Sequence, residues 1–245
     1  MPTLFKSFIP NKISNPTVLT IYDLLRKVSK VSNRTITSHR ATNAAVLSDP
    51  TQSPLKAPVG FIENQREWTD VKIACGKNAT MQKSGCGVFA VYNALHALKK
   101  EVGTEALLDL IVHFEKNGLA LNGRLGISPK AIYRYFQENG FDVHMTAERS
   151  TEIVNKIGTD YEVLIVTAYN DKNDITQRIH TVCITKNERG EYFAHNAFYR
   201  KGKRYVAMPT GEKGFATLQE TVEHLAKNPL LLCLIGIKNS KKIRR

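Results

Sequence analysis

The residue in this chain whose surroundings most clearly indicate chemical reactivity is a cysteine between two glycines. Cys86 stands between Gly85 and Gly87, where a polar loop gives way to an apolar segment with the composition of a helix. Backbone N–H groups and the positive end of a helix dipole favour a thiolate over a thiol, so a cysteine at a helix start is a nucleophile near neutral pH. The flanking glycines would let a substrate backbone approach without a Cβ in the way.

A nucleophile of this kind also needs donors for the negative charge that develops on the attacked carbonyl oxygen. The backbone N–H of Cys86 can supply one donor. The side-chain amide of Gln82, four residues earlier, can supply a second.

A thiolate is most useful beside an imidazole that a third group orients. His180 begins an apolar segment that reads as a strand, and Asn196 ends the next predicted strand, across the turn composition of residues 187–190. Antiparallel neighbours joined in this way bring their far ends together. The spacing therefore predicts that His180 pairs with Cys86 and that the side-chain oxygen of Asn196 accepts from the imidazole.

The order Cys, His, Asn, with a Gln before the Cys, resembles the papain-like cysteine peptidase superfamily. The segments CGVFAVYNAL and GISPKAIYRYFQENGFDV are especially similar to the bacteriocin-leader-processing peptidases and the phytochelatin synthases, over roughly residues 68–208. The resemblance implies a papain-like fold, with the central helix that bears the Cys packed against an antiparallel β-sheet. It implies catalytic roles for Cys86, His180, Asn196 and Gln82. Two features depart from the family: the gap between Gln82 and Cys86 is short, and Asn196 stands where these two groups usually carry Asp.

The periodicity from residue 60 onward places helices first and strands after, which favours an α+β domain with an antiparallel sheet. Helices are predicted over residues 85–100, 104–116, 128–139, 150–157 and 218–227, and strands over residues 141–146, 161–169, 180–186, 191–197, 204–208 and 230–238.

Charge and composition divide the chain into a basic leader (residues 1–60), a catalytic domain (61–238) and a basic tail (239–245). The leader holds eight basic and two acidic residues. One amphipathic helix is predicted over residues 16–31, and residues 32–58 read as a linker or extended arm. An accessory helix that packs on the domain, a cleaved organelle-targeting segment and a pro-segment or partner-binding arm remain open alternatives for the leader.

Overall composition excludes several function classes. The chain has 245 residues, of which 42% are hydrophobic, so it is not a disordered scaffold. The longest apolar run, residues 230–237, is far shorter than the roughly 20 residues that a bilayer requires, so no membrane span is expected. Lys and Arg total 35 against 22 Asp and Glu. This excess favours an acidic partner for the leader and tail, whereas the chain carries no RNA-recognition or helix-turn-helix signature and nucleic acid is not the expected partner.

The cysteine and histidine patterns predict neither a metal nor a cofactor. The four cysteines form no CxxC pair, and no HxxxH, HExxH, GxGxxG or GxxxxGK[ST] motif occurs. The cytoplasm is the default location, with export as an effector or organelle targeting through the leader left open.

The function favoured by these residues is that of a thiol protease, a hydrolase that cleaves a peptide or isopeptide bond of a protein or peptide substrate through an acyl-enzyme. An acyltransferase or transglutaminase-like enzyme with the same triad is the first alternative. A non-catalytic binding protein on the same scaffold is the second.

Overall fold

The computed structural model describes residues 15–55, 60–76, 79–172, 179–201, 204–207, 214–226 and 229–240. The strands are β1 (Asp142–Thr146), β2 (Val163–Tyr169), β3 (Ile179–Lys186), β4 (Tyr192–His195), β5 (Phe198–Lys201), β6 (Arg204–Ala207) and β7 (Leu230–Lys238). The main sheet has five antiparallel strands in the order β1-β7-β2-β3-β4, and β5 and β6 form a separate antiparallel ribbon.

The described residues contain eight α-helices, five of them close to the predicted positions within the domain. They are α1 (Asn15–Lys27), α2 (Asn33–Ser48), α3 (Met81–Ser84), α4 (Cys86–Ala97), α5 (Thr104–Asn117), α6 (Pro129–Glu138), α7 (Thr151–Asp160) and α8 (Leu218–Glu223). The α+β class with an antiparallel sheet, expected from the sequence, is confirmed.

The central strand β2 is buried on both faces. Ile165 belongs to the cluster formed with α4, α5 and α6, whereas its neighbours Leu164 and Val166 belong to a second cluster formed with α7 and α8. Side chains of a strand alternate between its faces, so a strand covered on both sides is apolar throughout. The sheet therefore lies between two helical layers.

Helix α4 is the central helix of the larger layer. Its residues from Gly87 to Leu95 are all buried, and the helix packs against β3 and β2. A helix that is apolar all round is stable only when it is surrounded. This packing fixes the start of α4 beside the start of β3.

The described part of the leader contains two helices rather than the one predicted. The sequence favours a linker or extended arm over residues 32–58, and this prediction is wrong where α2 (Asn33–Ser48) lies. The hydroxyl of Ser32 caps α2 by accepting from the N–H of Thr35 (3.1 Å). The side chain of Asn43 bonds both backbone groups of Lys72. The two bonds of Asn43, which no apolar period reveals, hold the helix to the domain.

Helix α1 lies on the domain with a different face inward from the one that the helical spacing of Val18, Ile21, Leu24, Leu25 and Val28 predicts. Leu19 and Tyr22 are buried, while Ile21, Leu24 and Val28 are exposed. Leu19 belongs to the same buried cluster as α4.

None of the helices in the described ranges combines the length and the apolar character needed to cross a membrane. The basic residues at 241–245 fall outside those ranges.

Candidate active site

Cys86 is the first residue of α4, directly after the short helix α3. Its side chain is partly exposed. The glycines around it are required by packing: a Cβ on Gly85 would lie 2.5 Å from the Met81 carbonyl oxygen, and one on Gly87 would lie 2.7 Å from Cβ of Ile127. The two glycines therefore have a structural reason of their own, beside the access that the sequence suggested.

His180 is the second residue of β3 and lies against Cys86, as the sequence predicts. The two side chains form a hydrogen bond. Nε2 of the imidazole donates to the main-chain carbonyl of Asn196 (2.7 Å), which leaves Nδ1 as the nitrogen for the sulfur. The fold thus brings together a thiol and an imidazole that are far apart in the sequence.

Asn196 orients His180 through its backbone and not through its side chain, which corrects the expected role. The residue follows β4 and adopts a left-handed conformation with φ 57°. Its side-chain amide is occupied elsewhere: Oδ1 accepts from the Gln65 N–H (3.0 Å), and Nδ2 donates to Oε1 of Gln65 (3.1 Å). An asparagine tolerates this conformation better than most residues, and the turn directs its carbonyl at the ring.

Gln82 lies in α3, one turn before the cysteine. Its side-chain Nε2 donates to the main-chain carbonyl of Arg66 (3.0 Å). The main-chain carbonyl of Gln82 accepts from Nε2 of Gln65 (2.8 Å). An amide NH₂ group carries two N–H bonds. One of them is used on Arg66, so only the second could serve an oxyanion.

The cysteine and the histidine stabilise each other's charged forms. Burial on its own would raise the pKa of Cys86, but the hydrogen bond and charge of His180, helped by the backbone N–H groups of Thr181 and Gly87, outweigh it and lower this pKa below its ordinary value. Burial would likewise lower the pKa of His180, but the hydrogen bond and charge of Cys86, with the Asn196 carbonyl, raise it. These opposite shifts favour a thiolate–imidazolium pair.

The pKa values of the other three cysteines, all within the described residues, are raised and not lowered. Burial raises the pKa of Cys183, and it raises the pKa of Cys233 to about 12. The pKa of Cys75 is raised by partial burial and by the charge of Glu115. Cys86 is therefore the only one of the four whose surroundings favour the nucleophilic form.

Two residues that contact Asn196 escaped sequence analysis, Gln65 and Glu63, which lie in a segment without periodicity. Tyr22 of α1 is a third, and it lies near enough to Cys86 for the charge of the cysteine to act on it. The pKa of Tyr22 is raised by burial first and then by the charges of Tyr169 and Cys86. No spacing pattern marks these residues, because each belongs to an element remote in sequence from Cys86.

The described ranges hold no group of three or more His, Cys, Asp or Glu side chains arranged to bind a metal ion.

No protein-family model matches the sequence, and no curated protein matches it.

Proposed function

We propose that this protein is a thiol-dependent acyl-transfer enzyme, and specifically a cysteine peptidase with a papain-like arrangement of helix and sheet. The observation that carries the proposal is the hydrogen-bonded pair of Cys86 and His180, in which the cysteine pKa is lowered and the histidine pKa is raised. A structural cysteine has no need of such a partner, because burial alone leaves it an inert thiol.

The chemistry follows from the protonation states. The Cys86 thiolate attacks the carbonyl carbon of the substrate, and the C=O electron pair moves to the oxygen. Protonated His180 donates to the leaving amine as the C–N bond breaks, which leaves a thioester on the sulfur. Water, deprotonated by neutral His180, then attacks the thioester, releases the acid and returns the thiolate.

The first turn of α4 supplies charge stabilisation. Backbone N–H groups at a helix start have no acceptor within the helix, and they point toward developing negative charge. The free N–H of the Gln82 amide is the second proposed donor. The contribution of Asn196 is to fix the imidazole ring, through its carbonyl.

A proteome-derived peptide mixture tests the proposal. The wild-type protein should produce new cleavage products, detected by mass spectrometry, and Cys86→Ala should produce none, because the nucleophile is gone. Cys75→Ala is the matched control and should cleave as the wild type does. Equal cleavage by Cys86→Ala and wild type would refute the assignment.

The fate of the acyl group separates hydrolysis from transfer. In H₂¹⁸O, hydrolysis places one heavy oxygen in the new carboxylate, whereas transfer to an added primary amine gives an amide without it. We expect the labelled acid to dominate. A dominant amide product would instead identify an acyltransferase with the same Cys86 and His180 chemistry.

A further inference from the structure

A carboxylate behind the candidate site holds the residue that orients His180. Oε2 of Glu63 accepts from the backbone N–H of Asn196 (2.9 Å). Its Oε1 lies 2.6 Å from Nδ1 of His195. One side chain thus ties the end of β4 to the extended segment that precedes α3.

The partner ring keeps Glu63 in place. His195 is 4% exposed, and its Nε2 lies 2.8 Å from the Thr185 hydroxyl. Phe61 stacks on the ring with 3.7 Å between centroids. A ring fixed by Thr185 and Phe61 gives the carboxylate a rigid anchor, although 31% of the Glu63 side chain is exposed.

Asn196 is consequently held at each of its polar groups. Glu63 takes its N–H, Gln65 takes its side-chain amide, and His180 donates to its carbonyl. A left-handed φ in a non-glycine residue persists when surrounding contacts determine it. Because the carbonyl direction depends on that backbone conformation, a change at the N–H is transmitted to the bond with His180.

We propose that Glu63 is a positioning residue: by holding the Asn196 N–H it keeps the Asn196 carbonyl aimed at His180, and His180 aimed at Cys86. This inference rests on the proposed function, since it concerns how well the nucleophile is prepared. Glu63 touches neither the sulfur nor the imidazole in the described contacts, so it acts through Asn196.

The direction of the effect distinguishes positioning from plain electrostatics. Removing a nearby negative charge by itself lowers the pKa of a thiol, because an anion disfavours thiolate. Loss of positioning has the opposite effect, because a loosened His180 stabilises the thiolate less. A higher Cys86 pKa in a Glu63 variant would therefore not be a charge effect.

The test is the pH dependence of iodoacetamide alkylation at Cys86, followed by peptide mass spectrometry. Glu63→Ala should shift the profile to higher pH and slow alkylation at pH 6.5 by about 10-fold, as expected when a supporting contact is lost. Glu63→Gln should stay within about 3-fold of wild type, because the amide can accept from Asn196 and donate to His195. Glu67→Ala removes a neighbouring carboxylate that bonds Asn64 instead and should leave the rate unchanged.

A second comparison keeps the test decisive if Glu63→Ala fails to fold. Glu63→Asp retains the charge, but the shorter side chain cannot span both Asn196 and His195. Cys86 should therefore be alkylated more slowly in Glu63→Asp than in Glu63→Gln. The inference is overturned if wild-type Cys86 titrates at a lowered pKa while Glu63→Ala, or in its place Glu63→Asp, gives the same profile. A wild-type profile with an ordinary thiol pKa would instead overturn the proposed function.

Discussion

At the scale of single residues, the activity that we propose depends on the proton shared between Cys86 and His180. Burial alone would keep the sulfur protonated and the ring neutral, and their mutual hydrogen bond and charge, with help from neighbouring backbone groups, reverse both tendencies.

When the histidine is replaced, burial should dominate the pKa of Cys86. In His180→Gln the pKa of Cys86 should rise above its ordinary value of 9.0, since burial is the largest single influence on it. We expect Cys86 alkylation at pH 7 to fall at least about 10-fold, because the thiolate fraction at a fixed pH below the pKa falls about tenfold when the pKa rises by one. His144→Gln, on the exposed edge strand β1, is the control. An unchanged rate in His180→Gln would contradict the pairing.

Peptidase turnover should have a bell-shaped pH profile. Activity falls on the acid side as the thiolate takes up a proton, at a pH below 9.0 because the pKa of Cys86 is lowered. It falls on the alkaline side as the imidazolium loses its proton, at a pH above 6.5 because the pKa of His180 is raised. Initial rates of product formation across pH 4–10 provide the measurement. A single alkaline rise near the ordinary thiol pKa would be inconsistent with the ion pair.

The sequence predicted which residues meet at the site better than it predicted which atoms bond. Cys86 and His180 follow from helix-start chemistry and strand order. The carbonyl of Asn196 faces the ring only because its φ is 57°, and that conformation depends on Glu63 and Gln65, more than a hundred residues earlier. Long-range backbone anchoring of this kind leaves no local pattern.

At the scale of elements, apolar periodicity located α4 and the core strands well, and it failed for α2. Helix α2 buries Ile36, Asn43 and Leu47, and much of its attachment is polar. His39 pairs with the buried Glu115 at 2.6 Å. A polar anchor looks like an ordinary surface residue in a sequence, so the pattern predicts a linker or extended arm where α2 forms.

Asn43 should contribute strongly to the docking of α2. Asn43→Ala leaves the N–H and the carbonyl of Lys72 without their partner, and each buried unpaired group costs about 1–3 kcal/mol. We expect the free energy of unfolding in urea to fall by about 2 kcal/mol or more. Thr42→Ala, at the adjacent exposed position, should change it by less than about 0.5 kcal/mol. Equal effects of the two substitutions would show that the Asn43 bonds contribute nothing.

At the scale of the whole molecule, the leader helices are parts of the folded body. Helix α1 packs against α6 and β7, and Asp23 forms an ion pair with Arg134 of α6 at 2.6 Å. Asn15 donates to the backbone carbonyls of Ala147 and Leu231. Composition places a boundary near residue 60 because charge reports the outer surface of a helix and not its attachment. Among the alternatives for the leader, these contacts favour the accessory helix that packs on the domain.

Truncation on the inner face of α1 should therefore destabilise the protein. Leu19→Ala removes a side chain that is 3% exposed, and such substitutions cost about 2–5 kcal/mol when the site cannot collapse. Leu24→Ala on the same helix, 60% exposed, should have little effect. Thermal unfolding of both variants checks this, and a Leu19→Ala melting temperature equal to wild type would argue against a docked α1.

The lowered pKa of Cys86 is tested most directly by the alkylation rate of each cysteine in the wild-type protein as a function of pH. Cys86 should react first at neutral pH, with a midpoint below 9.0, although Cys75 is the more exposed thiol. A Cys86 midpoint at or above 9.0, with Cys75 modified earlier at pH 7, would contradict the account.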